Sequence, residues 1–271
     1  MESLPSHTDP EKVNLAHWDE LAPVHLKSYP LEPLRNGGVM LDSIQLREVG
    51  AVAGKTLLHL QCHIGSDTLS WVWLGATATG VDFSPASIDT AEQLRDELRL
   101  PCRFICCNVY DLPQRLDEQF DIVYASQGVL CWLRDIDEWG GLVARYLKPG
   151  GLFYIMDTHP LIQCFAPEPD AHLVQYTPYF NRQPTMYEAG GGDYSDGNYK
   201  SNNPACEWVW TLSDIVNSLI RAGLTIKALN EYDSLYYKAF PSMIPAEEPG
   251  WWRYPGINLP WTFTLSAIKT H

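Results

Sequence analysis

Between residues 56 and 156 the chain alternates short apolar runs with amphipathic stretches. Thr56-Leu57-Leu58-His59-Leu60 is one run, residues 77–81 a second, 102–107 a third, 120–125 a fourth and 151–156 a fifth. Each has strand length and is bounded by Gly, Pro or Asp, which predicts buried strands. Between them the period changes. Ser84-Pro85 fits an N-cap followed by proline at the first helical position, and Ile88, Ala91, Leu94 and Leu98 then recur on one helical face. Residues 137–147 predict another helix, stopped by Lys148-Pro149-Gly150-Gly151. Strands alternating with helices imply right-handed β-α-β units around a parallel sheet, whose ligands bind beyond the carboxyl ends of the strands.

The pattern resumes near the end of the chain. Thr211-Leu212-Ser213-Asp214 reads as a capping box. Leu212, Ile215, Val216, Leu219 and Ile220 follow on one face, and Gly223 ends the helix. Residues 224–231 and 260–268 predict two last strands. Two segments break the rhythm: a Pro-, Gly-, Tyr- and Asn-rich insert at 161–205, and a loop at 238–259 that holds Trp251-Trp252. The chain is read as one domain. Residues 1–50 form an N-terminal helical lid, 51–160 the binding core, 161–205 a substrate lid, and 206–271 the rest of the sheet with the second lid loop.

Composition narrows the partners. The 271 residues are 45% apolar and 19% charged, an ordinary globular balance. The 19 basic residues against 33 acidic ones leave a net charge of −14, with no basic cluster. Nucleic acid and anionic membranes both call for a concentrated positive field, so neither is expected. No apolar run approaches the ~18 residues of a membrane span. The polar, acidic first residues do not read as a signal peptide. Seven cysteines without a Cys-x-x-Cys pair suggest buried thiols in a reducing, cytoplasmic setting, with no metal site.

The chemistry is expected where the first strands end. The first runs into Leu60-Gln61-Cys62-His63-Ile64-Gly65, and the second ends in Gly80-Val81-Asp82-Phe83-Ser84-Pro85. An acidic residue about 20 positions after a strand–turn–helix is the arrangement that reads ribose hydroxyls. A nicotinamide dinucleotide also wants G-x-G-x-x-G against its pyrophosphate, and only Gly65 is present. A nucleoside without phosphates has no such need, which points to S-adenosylmethionine (SAM).

With these segments, Cys107-Asn108-Val109-Tyr110-Asp111-Leu112-Pro113, Phe120-Asp121-Ile122-Val123-Tyr124 and Leu147-Lys148-Pro149-Gly150-Gly151 make the chain resemble the Rossmann-like (class I) SAM-dependent methyltransferases, in a small-molecule branch with a His-Leu-Gln-Cys-His cofactor loop. The resemblance covers about residues 12 to 268 and is strongest over 56 to 160. It implies a three-layer α/β sandwich with a mostly parallel seven-stranded sheet, an antiparallel last strand and lid insertions. It also implies transfer of a methyl group to a small molecule through an O, N or S atom, leaving S-adenosyl-L-homocysteine. The alternative is a SAM-fold protein that binds SAM without methylating.

Carried over position by position, the resemblance implies that Asp82 holds the ribose hydroxyls and Phe83 packs on the adenine, although Phe83 reads almost equally as core. Asn108 and Val109 meet the adenine edge. Ser126 and Gln127 lie under the sulfonium. The family's first loop is acidic-x-Gly-x-Gly-x-Gly; here His59 takes the acidic place and Gln61 and His63 two glycine places. The methionine end is then left to Gln61, Cys62, His63 and Gly65, with Gln61 or His63 replacing the usual carboxylate contact. Trp18 and Tyr29 of the N-terminal segment are expected over the cofactor.

His159, after the fifth strand in Met156-Asp157-Thr158-His159-Pro160, is the candidate general base, since imidazole titrates in the useful range. Its alternative is a structural histidine. Glu231 is a weaker candidate, and His172 is expected to be peripheral. Trp132, Tyr179, Trp208 and Trp251 are the candidate acceptor-binding aromatics, because aromatic walls suit a flat or cationic molecule.

Overall fold

A computed structural model describes residues 9–165 and 173–270; His172 and the first eight residues lie outside them. The elements in chain order begin with helices α1 (Pro10–Ser28), α2 (Glu32–Arg35) and α3 (Ser43–Val49). The alternating core follows: β1 (Thr56–Leu60), α4 (Ser66–Trp73), β2 (Thr77–Asp82), α5 (Pro85–Leu98), β3 (Arg103–Cys106), β4 (Phe120–Ser126), α6 (Ile136–Tyr146) and β5 (Leu147–Thr158). After it come β6 (Thr185–Tyr187), β7 (Ala205–Glu207), α7 (Leu212–Arg221), β8 (Leu224–Tyr232), β9 (Ser234–Leu235), β10 (Ile244–Pro245), β11 (Trp252–Arg253) and β12 (Thr262–Lys269).

The main sheet has the order β3-β2-β1-β4-β5-β12-β8. Neighbours from β3 to β5 pair parallel, and β12 runs antiparallel to both β5 and β8. This is the mostly parallel seven-stranded sheet that the family resemblance implies, built on the parallel units expected from the alternation. Apolar clusters cover both faces. Trp139, Val143 and Phe153 belong to the cluster under α6 and α7, and Trp71, Tyr124 and Tyr154 to the one under α3 and α4. A sheet covered on both sides needs strands that are apolar on both faces, which is why β1 and β4 read as continuous runs.

The helix signals act where they were read. The Ser84 side chain accepts from the Ser87 amide, with Pro85 opening α5. Thr211 and Asp214 close a reciprocal capping box at α7. One segment differs. Residues 147–151, read as a stop, begin β5. Phe120 pairs with Leu147, but Ile122 pairs with Leu152, so the Lys148-Pro149-Gly150-Gly151 turn bulges out of a strand that has already started. Gly150, at φ 78°, allows that bulge.

The two segments between regular elements divide differently from the expectation. Loop 238–259 closes on itself: β9, β10 and β11 form a small sheet, and Leu235, Phe240, Met243 and Tyr254 pack on the fully buried Trp261. The insert instead reaches back over α1. The Asn14 amide exchanges both hydrogen bonds with the Cys206 backbone at 2.8 Å. The Glu20 carboxylate accepts from the amides of Asn202 and Asn203 and from the Tyr199 hydroxyl. Partial burial opposes ionisation there, yet these donors hold the Glu20 carboxyl down at about 2.

Candidate active site

The carboxyl ends of β1, β2 and β4 open into a cavity of about 1050 Å³, its mouth included. It lies where the strand order reverses between β1 and β4, the crevice in which doubly wound sheets take their ligands.

Asp82 ends β2 in the cavity wall and is 8% exposed. Its Oδ2 accepts from the His63 amide at 2.8 Å and its Oδ1 from the Ser84 amide at 3.0 Å. Burial pushes the carboxyl up to about 6, against these backbone donors. Phe83, Asn108 and Val109 line the same side. Asn108 caps its own turn, its Oδ1 accepting from the Tyr110 amide, and its Nδ2 donates to Glu11 of α1 at 2.9 Å.

The loop after β1 is turned without a glycine series. Gln61 and His63 sit in the left-handed region at φ 58° and 49°, a costly place for a side chain. Bonds from Cys62 N to Val81 O, from His63 N to Asp82 and from the Gln61 amide to Val129 O hold them there. Gly65 is needed for room: a Cβ there lies 2.7 Å from the Phe104 ring and 2.9 Å from Ala91. It therefore seats α4 and does not itself line the cavity. Gln61, Cys62 and His63 do line it. His59 stands behind them. Its Nδ1 meets Thr68 Oγ1 at 2.8 Å, its Nε2 meets Ser126 Oγ at 3.3 Å, and burial drops its pKa to about 3. It is a neutral bridge between β1 and β4.

At the end of β4, Ser126 donates to Asp67 at 2.9 Å, and Gln127 and Gly128 turn through φ 52° and 84°. Asp157 of β5 builds that turn, because its buried carboxylate accepts from the amides of Gly128, Val129 and Leu130. Ser126, Gln127 and Trp132 all reach the cavity. From α1, Trp18 stands edge-on to both His63 and Trp132, with ring centroids 5.1 and 5.2 Å away. The Tyr29 hydroxyl bonds that of Tyr194 from the insert, and both rings line the wall. Beside them Asp193 accepts from His25 Nε2 at 2.9 Å, and His25 Nδ1 meets His63 Nε2 at 2.7 Å.

Besides Gly65, the sequence candidates His159, Glu231, Tyr179, Trp208 and Trp251 stand away from the cavity. His159 is buried with both ring nitrogens engaged: Nδ1 accepts from the Leu161 amide at 3.2 Å, and Nε2 meets Glu231 at 3.1 Å. Burial lowers its pKa, so it sits there as a neutral cap of the turn after β5. Tyr179 accepts from the Leu212 amide at the start of α7. Trp208 is buried against the Cys131 carbonyl. Trp251 packs with Tyr124 and Tyr154 behind the sheet and donates to Asp42. Glu11, Asn14, Asp67 and Tyr194 are cavity residues that the sequence reading missed. Glu11 and Asp67 each fall in a helix's first turn, where an acid reads as a partner of the helix dipole.

The site suits a nucleoside that is cationic and free of phosphate. No Lys or Arg lines the cavity among the described residues, whereas Glu11, Asp67 and Asp82 do. The Oε1 atom of Gln61 is buried without a donor. A pyrophosphate has nothing to meet here, and a sulfonium has carboxylates. The described residues hold no group of three His, Cys, Asp or Glu that can bind a metal. None of their helices is long and apolar enough to cross a membrane.

Known proteins agree with this geometry. Residues 58–155 match the family model of a methyltransferase domain. The ubiquinone biosynthesis O-methyltransferase of Nitrobacter winogradskyi is 29% identical over 145 residues, 52% of this chain and 54% of that protein; the chain thus spans about half the length of the curated relatives it matches. A SAM-dependent methyltransferase from Mesorhizobium loti superposes with a TM-score of 0.60 at 20% identity, over 83% of this chain and 96% of its own. A structure described as such an enzyme from Listeria monocytogenes gives 0.57 at 18%, over 83% and 95%. The methyltransferase-domain match over 58–155, the seven-stranded sheet that carries it and the cavity at its switch point make this chain similar to the Rossmann-like (class I) SAM-dependent methyltransferases, whose fold it shares.

Proposed function

We propose that the chain transfers a methyl group from SAM to a flat small molecule, with an oxygen as the acceptor atom. The observation that carries this reading is one cavity whose lining is of two kinds: Asp82, Phe83 and Asn108 suit a nucleoside, and Trp18, Trp132, Tyr29 and Tyr194 supply aromatic walls. SAM supplies an electrophilic methyl group on a sulfonium. The protein's task is to align an acceptor with it and keep water out.

Asp82 accepts the ribose hydroxyls, and Phe83 lies against the base. Trp18 and Trp132 meet edge to face, an arrangement that presents a slot to a planar ring. Alignment of this kind and exclusion of water can lower a barrier by on the order of 7–11 kcal/mol. No imidazole with a free nitrogen lines the cavity among the described residues, since His59 and His63 are engaged on both sides. A proton from an acceptor hydroxyl instead meets the Tyr29–Tyr194 hydroxyl pair in the cavity wall. An uncharged acceptor suits the cavity, because three carboxylates oppose an anion. The curated relatives' name, an O-methyltransferase, supports oxygen over nitrogen or sulfur.

The test is incubation of the protein with methyl-labelled SAM and a panel of catechols, phenols and aromatic amines, followed by mass spectrometry. Label is expected on a phenolic oxygen. SAM binding without label in any acceptor class would leave a binding protein and refute the proposal.

A further inference from the structure

The cavity's three carboxylates are not equivalent. Glu11 is satisfied, pairing with Arg134 at 3.2 Å and accepting from Asn108 at 2.9 Å. Asp82 is held by the His63 and Ser84 amides on the nucleoside side. Asp67, the second residue of α4, has only hydroxyl donors. Ser126 and Tyr124 bond its Oδ2 at 2.9 and 3.2 Å, and Ser66 is beside it. No Lys or Arg pairs with it among the described residues.

A carboxylate withdrawn from water without a cation is costly, and burial does push the Asp67 carboxyl up. Its bond to Ser126, the last residue of β4, places this charge at the end of that strand in the cavity wall. A second group of the wall is also incomplete. Gln61 has its Nε2 tied to Val129 O at 3.0 Å, which fixes the amide's orientation, and its buried Oε1 has no donor. An anionic and a neutral acceptor, both lacking donors of matching strength among the described residues, thus belong to two residues of the cavity wall. A primary ammonium carries three N–H donors and a positive charge, and so satisfies both.

Resting on the SAM reading above, we propose that Asp67, with Gln61 Oε1, is the counter-ion of the α-ammonium of the cofactor's methionine part. His59 cannot serve, because it is neutral and both its nitrogens are taken by Thr68 and Ser126. His63 cannot serve either, since its nitrogens meet His25 and Ser87.

The experiment is calorimetric binding of two ligands to the full chain: SAM, and 5′-methylthioadenosine, which shares the nucleoside but lacks the amino acid. Asp67→Asn keeps an oxygen for Ser126 and Tyr124 and removes the charge, so the fold is retained. SAM affinity is expected to fall about tenfold to a hundredfold while methylthioadenosine affinity changes less than twofold, as a charge-assisted bond is lost for one ligand only. Gln61→Leu is expected to give a smaller loss with the same selectivity. Unchanged SAM affinity in Asp67→Asn overturns the proposal, and so does an equal loss for both ligands, which would make Asp67 a shaping residue only. If the wild-type protein binds methylthioadenosine and SAM equally well, the ammonium has no site here. If it binds neither, the SAM reading itself fails.

Discussion

Asp82→Ala tests the nucleoside reading of the cavity most directly. The carboxylate is 8% exposed, and each oxygen already accepts one backbone amide, which leaves one acceptor position per oxygen for a ligand. In the proposed SAM complex, two ribose hydroxyls fill those positions. Each charge-assisted bond is worth about 1.5–3 kcal/mol, so losing both should weaken SAM binding by about a hundredfold or more. The unliganded protein responds differently. With the folded carboxyl at about 6 against an ordinary 3.8, the fold carries a buried charge that costs about 3 kcal/mol at neutral pH. The sign follows from the raised value. Asp82 favours the fold fully below about 4, and that contribution is lost as pH rises through about 6. Removing the carboxylate relieves this cost while leaving the His63 and Ser84 amides without an acceptor, so the melting temperature of the free variant should stay within about 4 °C of wild type. The assay is calorimetric titration with SAM from pH 5 to 8. Wild-type affinity should decline as pH falls below about 6, as the acceptor protonates, and the variant should lack that limb. A folded Asp82→Ala protein with wild-type SAM affinity would refute the reasoning.

His159→Asn should leave methyl transfer within about twofold of wild type, since both imidazole nitrogens face Leu161 and Glu231 rather than the cavity; a rate loss of ~10²–10⁴-fold, as for a positioned base, would restore it as a catalytic residue. The same histidine has a lowered pKa, so its share of stability is present above the ordinary histidine range and lost as pH falls below it, a dependence that thermal melts of the variant should lack. Gly65→Ala should destabilise the fold by about 3 kcal/mol or more, because φ is 76° and the added Cβ meets the Phe104 ring at 2.7 Å; a melting temperature equal to wild type would show that the loop yields.

Much of the fold was legible because its signals are local. The strands 56–60, 77–82 and 120–126 are apolar on both faces, and each ends at a residue that turns the chain. Ser84-Pro85 and Thr211–Asp214 act as caps through atoms three residues apart. Asp82 was legible for the same reason, as an acid at the end of the second strand. Other features depended on which segments meet in space. Aromatic composition pointed equally to Trp132 and Trp251, and only the sheet decided that one faces the cavity while the other is packed behind β4 and β5. His159 follows the fifth strand as a base should. Its partner, Glu231, comes from β8, and the backbone that binds its amide comes from Trp261, so three distant segments turn it inward. Asp67 and Glu11 look like ordinary acids of a first helical turn until the tertiary structure gives Glu11 an arginine and, among the described residues, leaves Asp67 without one. Hydrophobic period and capping are written within a few residues, so the sequence by itself determined the layers and the strand ends. Whether a side chain is paired or open to a cavity depends on neighbours dozens of residues away, and the tertiary structure alone decided that.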